Sequence, residues 1–96
     1  MGERMELIES KRLEFLDIVH RHRGRSVSVF GSAARGDERA GSDIDFLVEF
    51  EGGSSLLDLL HIGEELEDLL GTPVDVVSVG GLKKRDRHIR SEALPL

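Results

Sequence analysis

The chain has 96 residues, of which 39% are apolar and 33% charged, and its formal net charge is −6. These values predict a single globular domain over residues 1–96, and the absence of cysteine excludes a disulfide framework or a cysteine-based zinc site. Direct nucleic-acid binding is unfavourable for so acidic a chain, and since no apolar run is long enough to span a membrane, we expect no membrane association and a cytoplasmic location.

The first half of the chain is predicted to form a helix, a strand, a polar loop and a second strand. Apolar residues recur at helical spacing from residue 3 to about residue 22, and Gly24 is expected to end that helix. Residues 26–30 alternate as a short strand. Residues 31–42 are rich in Gly, Ser, Asp and Arg, which indicates a loop with room for one helical turn. Residues 44–50, IDFLVEF, alternate again as a strand.

The second half is predicted to form a helix, a strand and a final basic helix. Ser55 and Asp58 have the spacing of a capping box, and Gly71 followed by Pro73 should end the helix over residues 56–70. A strand follows at 74–79, and a basic helix from 82 to about 93. On the long helix, the leucines expected on the buried side are Leu56, Leu59, Leu60, Leu66, Leu69 and Leu70. The fold class is therefore α/β (α+β): a small mixed sheet of three to four strands with helices packed on one face.

Two aspartates stand two residues apart where the second strand begins. Because side chains in a strand alternate, Asp43 and Asp45 should project to the same side, with their Cα atoms roughly 6–7 Å apart. Carboxylates at that separation can share one Mg²⁺ or bridge two ions. Packing gives no reason for two acids at the leading edge of an apolar strand, so this pair predicts a metal site.

Gly31 and Ser32 come directly after the first strand. A glycine there allows close approach of the backbone to a ligand, and backbone N–H groups with the Ser32 hydroxyl can bind phosphate oxygens. This is not a P-loop, since Asp37 stands where that motif requires lysine. Arg35 and Ser42 are further nucleotide-binding candidates. For Arg35, a solvated position is an equal alternative, and for Ser42 a local turn hydrogen bond is the favoured one.

Asp75 is the third candidate acid. It is flanked by valines in the last predicted strand, where a charged group is unfavourable unless it is paired, metal-bound or facing water at a sheet edge. If the strands lie side by side, it can reach the side of the sheet that holds Asp43 and Asp45. Three carboxylates with two metal ions suit in-line nucleotidyl transfer, and Asp75 would also serve as the general base.

The segment GSAARGDERAGSDIDFLVEF, followed by VDVV, resembles the minimal nucleotidyltransferases of the polymerase-β-like superfamily. Their hallmark is GS, ten residues, DxD and a later strand aspartate, and all of these match. The size resembles that of the MntA-type antitoxins, which accompany HEPN-type ribonuclease toxins. The resemblance implies transfer of AMP from ATP to a toxin tyrosine. It also implies phosphate binding by Gly31 and Ser32, and coordination of Mg²⁺, as two ions, by Asp43, Asp45 and Asp75.

Two alternatives remain at this level. The chain could neutralise a toxin by binding it, with no catalysis, or it could transfer a nucleotide to a small molecule. The complete motif favours the enzyme. The absence of room for an acceptor-binding domain disfavours a small-molecule substrate and favours a protein that brings its own recognition surface.

Overall fold

The computed structural model describes residues 3–36, 43–82 and 86–96. The elements in chain order are α1 (Glu3–Ser10), α2 (Arg12–Arg21), β1 (Gly24–Phe30), α3 (Ser32–Arg35), β2 (Ile44–Phe50), α4 (Leu56–Leu70), β3 (Val74–Ser78), a 3₁₀ turn (Val79–Gly81), α5 (Arg87–Glu92) and β4 (Leu94–Pro95). Within these ranges, no helix has the length and apolar character needed to cross a membrane.

The four strands form one mixed sheet in the order β3-β2-β1-β4. Strand β2 runs parallel to β3, and β1 runs antiparallel to both β2 and β4. The short β4 is held where Ser28 and Val29 pair with Pro95 and Leu94, and the Leu96 N–H donates to the Val27 carbonyl at 3.0 Å. This arrangement confirms the predicted α/β class and the mixed sheet of three to four strands, of which four are present in the described residues.

One face of the sheet packs against the helices and forms the core. Alternate side chains of β1 and β2 point to this face, and the Phe15 and Phe46 rings meet there with centroids 5.4 Å apart. Each of these side chains contributes roughly 1.5–3 kcal/mol through burial. The largest fully buried side chains are Phe15, Phe46, Ile8, Ile44, Ile62, Leu66, Val19, Val27, Val29 and Val48.

The prediction of one helix over residues 3–22 is wrong, because the helix breaks at Lys11. The backbone of Lys11 has φ −111° and ψ 18°, outside the helical region, and the Ser10 hydroxyl donates to the Leu7 carbonyl at 2.6 Å. A serine hydroxyl bonded back to its own helix competes with the backbone ladder and favours a bend. The result is two short helices, α1 and α2.

Gly24 does not end α2. Arg23 takes the left-handed conformation instead, with φ 64°, and its guanidinium donates to the Gly53 carbonyl at 2.6 Å. Gly24 is the first residue of β1, where an added Cβ would collide with Val19. Glycine at this position therefore allows close packing of α2 on the sheet, and does not act as a helix cap.

Both predicted ends of α4 are confirmed. The Ser55 N–H donates to the Asp58 carboxylate at 2.9 Å within a capping box, and Gly71 is left-handed with φ 70°. The predicted buried stripe is partly wrong, since Leu56 and Leu60 are exposed. The buried stripe passes instead through Ile62 and Leu66, and at 3.6 residues per turn it leaves Leu56 and Leu60 on the outward side.

The C-terminal helix is shorter than predicted. It covers only Arg87–Glu92, and the last residue predicted for the third strand, Val79, begins a 3₁₀ turn. Lys83, Lys84 and Arg85 lie outside the described residues. Helix α5 contacts β1, and Arg90 and Ala93 border the sheet face that is turned away from the core. A short basic helix thus accompanies the second face of the sheet.

Candidate active site

The strand register aligns two of the predicted acids. Asp45 on β2 is paired with Phe30 on β1 and with Asp75 on β3. Since Ile44 and Phe46 point into the core, Asp45 points to the opposite face, and register places Asp75 on that same face. The exposed Asp43 directly precedes β2 and interacts electrostatically with Asp45. Asp45 and Asp75 thus lie side by side on one face of the sheet, and Asp43 lies just before the start of the strand that carries Asp45.

Gly31 brings the turn after β1 against the Asp45 carboxylate. Its backbone has φ 73° and ψ −149°, a conformation that is open essentially only to glycine. An added Cβ would also collide with the Asp45 carboxylate. The backbone conformation and the contact with Asp45 therefore both require glycine at position 31. This is the position at which the candidate phosphate-binding turn contacts Asp45, the candidate metal ligand.

Ser32 opens the single-turn helix α3, and Arg35 closes it. The first N–H groups of a helix have no acceptor within that helix, so they are available to phosphate oxygens. The partly exposed Arg35 guanidinium donates to the Glu92 carboxylate of α5 at 3.3 Å. Ser42, the other nucleotide-binding candidate, lies outside the described residues.

Asp45 has an unfavourable environment for a negative charge. Burial raises the pKa of its carboxyl above the ordinary value, and the Asp75 and Asp43 carboxylates raise the pKa further. The Arg35 guanidinium acts in the opposite direction. A cation bound among the three acids would favour the charged carboxylate and remove this penalty.

The donor set suits Mg²⁺ in chemistry, since all three side chains supply hard carboxylate oxygens. Over residues 3–36, 43–82 and 86–96, however, no three Asp, Glu, His or Cys side chains are gathered closely enough to hold one metal ion. Carboxylates repel one another when no cation lies between them, and an aspartate side chain moves by rotation between staggered χ1 states. To share a magnesium ion, the carboxylates of Asp43, Asp45 and Asp75 have to rotate towards one another.

The pairing of Arg35 with Glu92 escaped the sequence analysis. The two residues are 57 positions apart, and Glu92 belongs to a segment for which the sequence predicts only a basic helix. Glu92 begins the segment EALPL, residues 92–96, which is the available sequence signal. Leu94 and Pro95 of this segment pair as β4 with β1, the strand that leads to Gly31. Glu92 therefore adds a carboxylate to the surroundings of the candidate phosphate-binding turn.

Comparison with known proteins assigns the fold and the chemistry to one family. The model of the nucleotidyltransferase domain matches residues 12–95. The chain belongs to the nucleotidyltransferase domain family. This match includes the Gly31 turn and all three aspartates, and it identifies the protein as a nucleotidyltransferase.

Two curated archaeal proteins are similar to this nucleotidyltransferase. One is a Methanocaldococcus jannaschii protein that is named as a protein adenylyltransferase. It is 44% identical over 78 residues, which cover 81% of this chain and 83% of the relative. The protein adenylyltransferase MntA of Thermococcus cleftensis is 48% identical over 59 residues, covering 62% of this chain and 60% of the relative.

Solved structures extend the likeness. One described as a minimal nucleotidyltransferase is 44% identical, with a TM-score of 0.86, and the match covers 100% of this chain and 97% of that one. A Shewanella oneidensis complex of a tri-AMPylated HEPN toxin with its MNT antitoxin contains a chain that is only 13% identical. Its TM-score is 0.67, and the match covers 91% of this chain and 69% of that one. This second likeness concerns the fold alone.

Proposed function

We propose that this nucleotidyltransferase is an Mg²⁺-dependent protein adenylyltransferase. It transfers AMP from ATP to a tyrosine hydroxyl of a cognate HEPN-type toxin and so acts as the antitoxin of that toxin. The observation that carries the proposal is the alignment of Asp45 with Asp75, directly beside the Gly31 turn. The adenylyltransferase names of the curated relatives support a protein acceptor, and the MNT antitoxin fold supports a HEPN partner.

In the proposed reaction, the tyrosine oxygen bonds to the α-phosphorus of ATP and the bond from that phosphorus to pyrophosphate breaks. Asp75 takes the hydroxyl proton. The Gly31 turn and the Ser32 hydroxyl hold phosphate oxygens, and Arg35 exchanges Glu92 for the triphosphate. Asp43, Asp45 and Asp75 would hold Mg²⁺, which when bound would neutralise the negative charge of the reacting phosphates.

The same proposal treats residues 1–96 as one catalytic domain that acts in the cytoplasm on a protein substrate, without direct nucleic-acid binding. An acidic chain of net charge −6 gains little from DNA or RNA phosphates.

The test uses the purified chain, Mg²⁺, and a candidate HEPN-type protein from the same genome. ATP labelled at the α-phosphate should label that protein, whereas ATP labelled at the γ-phosphate should not, because pyrophosphate leaves. Mass spectrometry should locate the added AMP on a tyrosine. Absence of labelling with every nucleoside triphosphate, with both proteins shown to be folded, refutes the proposal.

Neutralisation by binding alone is the competing function, and one variant separates the two. The double variant Asp43→Asn/Asp45→Asn removes two charges near the mouth of the site and leaves the core face of β2 unchanged. If catalysis protects the cell, the variant still forms the complex but no longer protects. If it protects as well as the wild type, binding is sufficient.

A further inference from the structure

Helix α4 has a second apolar face that does not pack on the core. Leu56, Leu57 and Leu60 are 71%, 62% and 49% exposed, whereas Ile62 and Leu66 on the opposite side are fully buried. The solvent face of a helix ordinarily carries polar side chains, and a single exposed leucine needs no explanation. Three exposed leucines within two turns of one helix form a patch of the kind that marks an interaction surface.

A groove continues this leucine face towards strand β3. Leu59, Leu60 and Gly63 form its helical wall, and Val74, Asp75 and Val76 form the strand wall. Strand β3 is at the edge of the sheet. From Leu60, the groove therefore reaches the edge strand that carries Asp75, whose side chain lies on the face of the sheet turned away from α4.

The order of the strands fixes the side from which an acceptor has to arrive. Gly31 follows β1, Asp45 is on β2, and Asp75 is on β3, so the phosphate-binding turn and the candidate general base lie at opposite ends of this row. A nucleotide held at the Gly31 turn occupies the β1 end. This order leaves the β3 edge, which α4 borders, open to the acceptor hydroxyl.

The charges on α4 define the partner further. Its five charged residues, Asp58, Glu64, Glu65, Glu67 and Asp68, are all acidic. Glu64 is exposed and, with Glu67, lines the groove beside Leu60. A surface of leucines bordered by carboxylates is complementary to an amphipathic helix that has an apolar stripe flanked by Lys and Arg.

We propose that the face formed by Leu56, Leu57, Leu60 and Glu64 docks such a basic, amphipathic helix of the acceptor protein and so brings its hydroxyl to Asp75. This inference rests on the proposed function, because it names the surface by which the protein acceptor of that reaction is recognised.

The experiment compares two surface variants with matched controls in the transfer assay. Leu57→Gln/Leu60→Gln and Glu64→Lys change the docking face, while Leu13→Gln and Glu9→Lys change another exposed leucine and another exposed acid, on α2 and α1. The docking variants should raise the KM for the acceptor at least about tenfold and leave kcat and the Kd for magnesium–ATP unchanged. The controls should behave as the wild type. Unchanged acceptor KM in both docking variants overturns the inference.

Further readouts separate this inference from the function on which it rests. If the wild type transfers no nucleotide, the proposed function fails; calorimetric binding to the acceptor that is lost only in the docking variants still supports the surface. Equal loss in the Leu13→Gln control contradicts it. A wild-type dimer that Leu57→Gln/Leu60→Gln converts to monomers, with transfer unchanged, assigns the face to self-association and overturns the inference.

Discussion

At the scale of single residues, the charged groups of the candidate site lower the stability of the folded protein. The folded protein raises the pKa of Asp45, chiefly through burial, so the charged carboxylate opposes folding at neutral pH. In EDTA at pH 7, Asp45→Asn should therefore raise the Tm by a few degrees. The same change should lower transfer activity at least about 100-fold, since loss of groups that merely support metal ligands already costs 10–100-fold.

The control for this prediction is Asp68→Asn, which removes an exposed acid from α4 and should change neither quantity. The sign can be checked against pH as well. As the pH falls towards the ordinary range of a carboxyl, wild-type Asp45 becomes protonated in the folded state first, and the Tm advantage of Asp45→Asn should shrink. A lower Tm for the variant at neutral pH contradicts this account.

Gly31→Ala should damage both folding and catalysis. The alanine has to adopt φ 73° and ψ −149° while its methyl group meets the Asp45 carboxylate. Forcing a side chain into this conformation costs about 1–3 kcal/mol. Urea denaturation measures that loss. Gly52→Ala, where an added Cβ meets nothing within 4 Å, should be nearly neutral, and equal stability of the two variants refutes the role assigned to Gly31.

The side of the sheet that Asp45 faces was predictable from sequence because a strand has a fixed period of two. Within β2, Asp45 faces away from Ile44 and Phe46 wherever the strand lies, and only the neighbouring strands remain to be found. The contact between Arg35 and Glu92 depends instead on how the C-terminal segment returns to β1. Long-range contacts of this kind are set by the whole fold, and neither residue has a local pattern that indicates its partner.

At the scale of elements, predictions succeeded where the chain carries explicit stop signals. Helix α4 begins and ends as predicted because Ser55, Asp58 and Gly71 supply caps at both ends. The break at Lys11 has no glycine or proline to indicate it. It depends on a serine hydroxyl bond and on how two short helices pack, which local propensity does not encode.

A polar cluster holds α2 against α4. Glu65 accepts from His22 and forms an ion pair with Arg21 at 3.1 Å. The hydrogen bond with His22 is the main cause that lowers the pKa of Glu65, and the charge of Arg21 adds to it. An acid whose pKa is lowered by folding stabilises the folded state above its ordinary pKa, and that stabilisation is lost as the pH falls through the lowered value.

Glu65→Gln should therefore lower the free energy of unfolding at pH 7 by about 1 kcal/mol or less, since the cluster is partly exposed to solvent. As the pH falls below 4.5, the ordinary pKa of glutamate, the variant should also lose less stability than the wild type. Urea titrations over a pH series measure both effects. Glu64→Gln, on the outward side of the same helix, is the control. A variant that loses stability in acid as steeply as the wild type contradicts the role of the cluster.

At the scale of the whole molecule, connectivity explains which parts of the sheet could be foreseen. A strand, a helix and a second strand in succession favour a parallel crossover, and β2, α4 and β3 form one. This crossover brings Asp75 beside Asp45. Strand β4, with only Leu94 and Pro95, is too short to have an alternating pattern, so its place beside β1 could not be predicted.

Mg²⁺ and ATP should stabilise the molecule together and only weakly apart. A ligand at 100 times its Kd adds about 2.7 kcal/mol to the free energy of unfolding, and 1 kcal/mol shifts the Tm of a domain this size by about 4–8 °C. Saturating magnesium–ATP should thus raise the Tm by about 10 °C or more. ATP with EDTA should do much less, because the triphosphate then meets uncompensated carboxylates. In Asp43→Asn/Asp45→Asn the difference between the two conditions should vanish, whereas Asp68→Asn should preserve it. Equal stabilisation of the wild type with and without the metal would mean that the three acids do not act as a magnesium site.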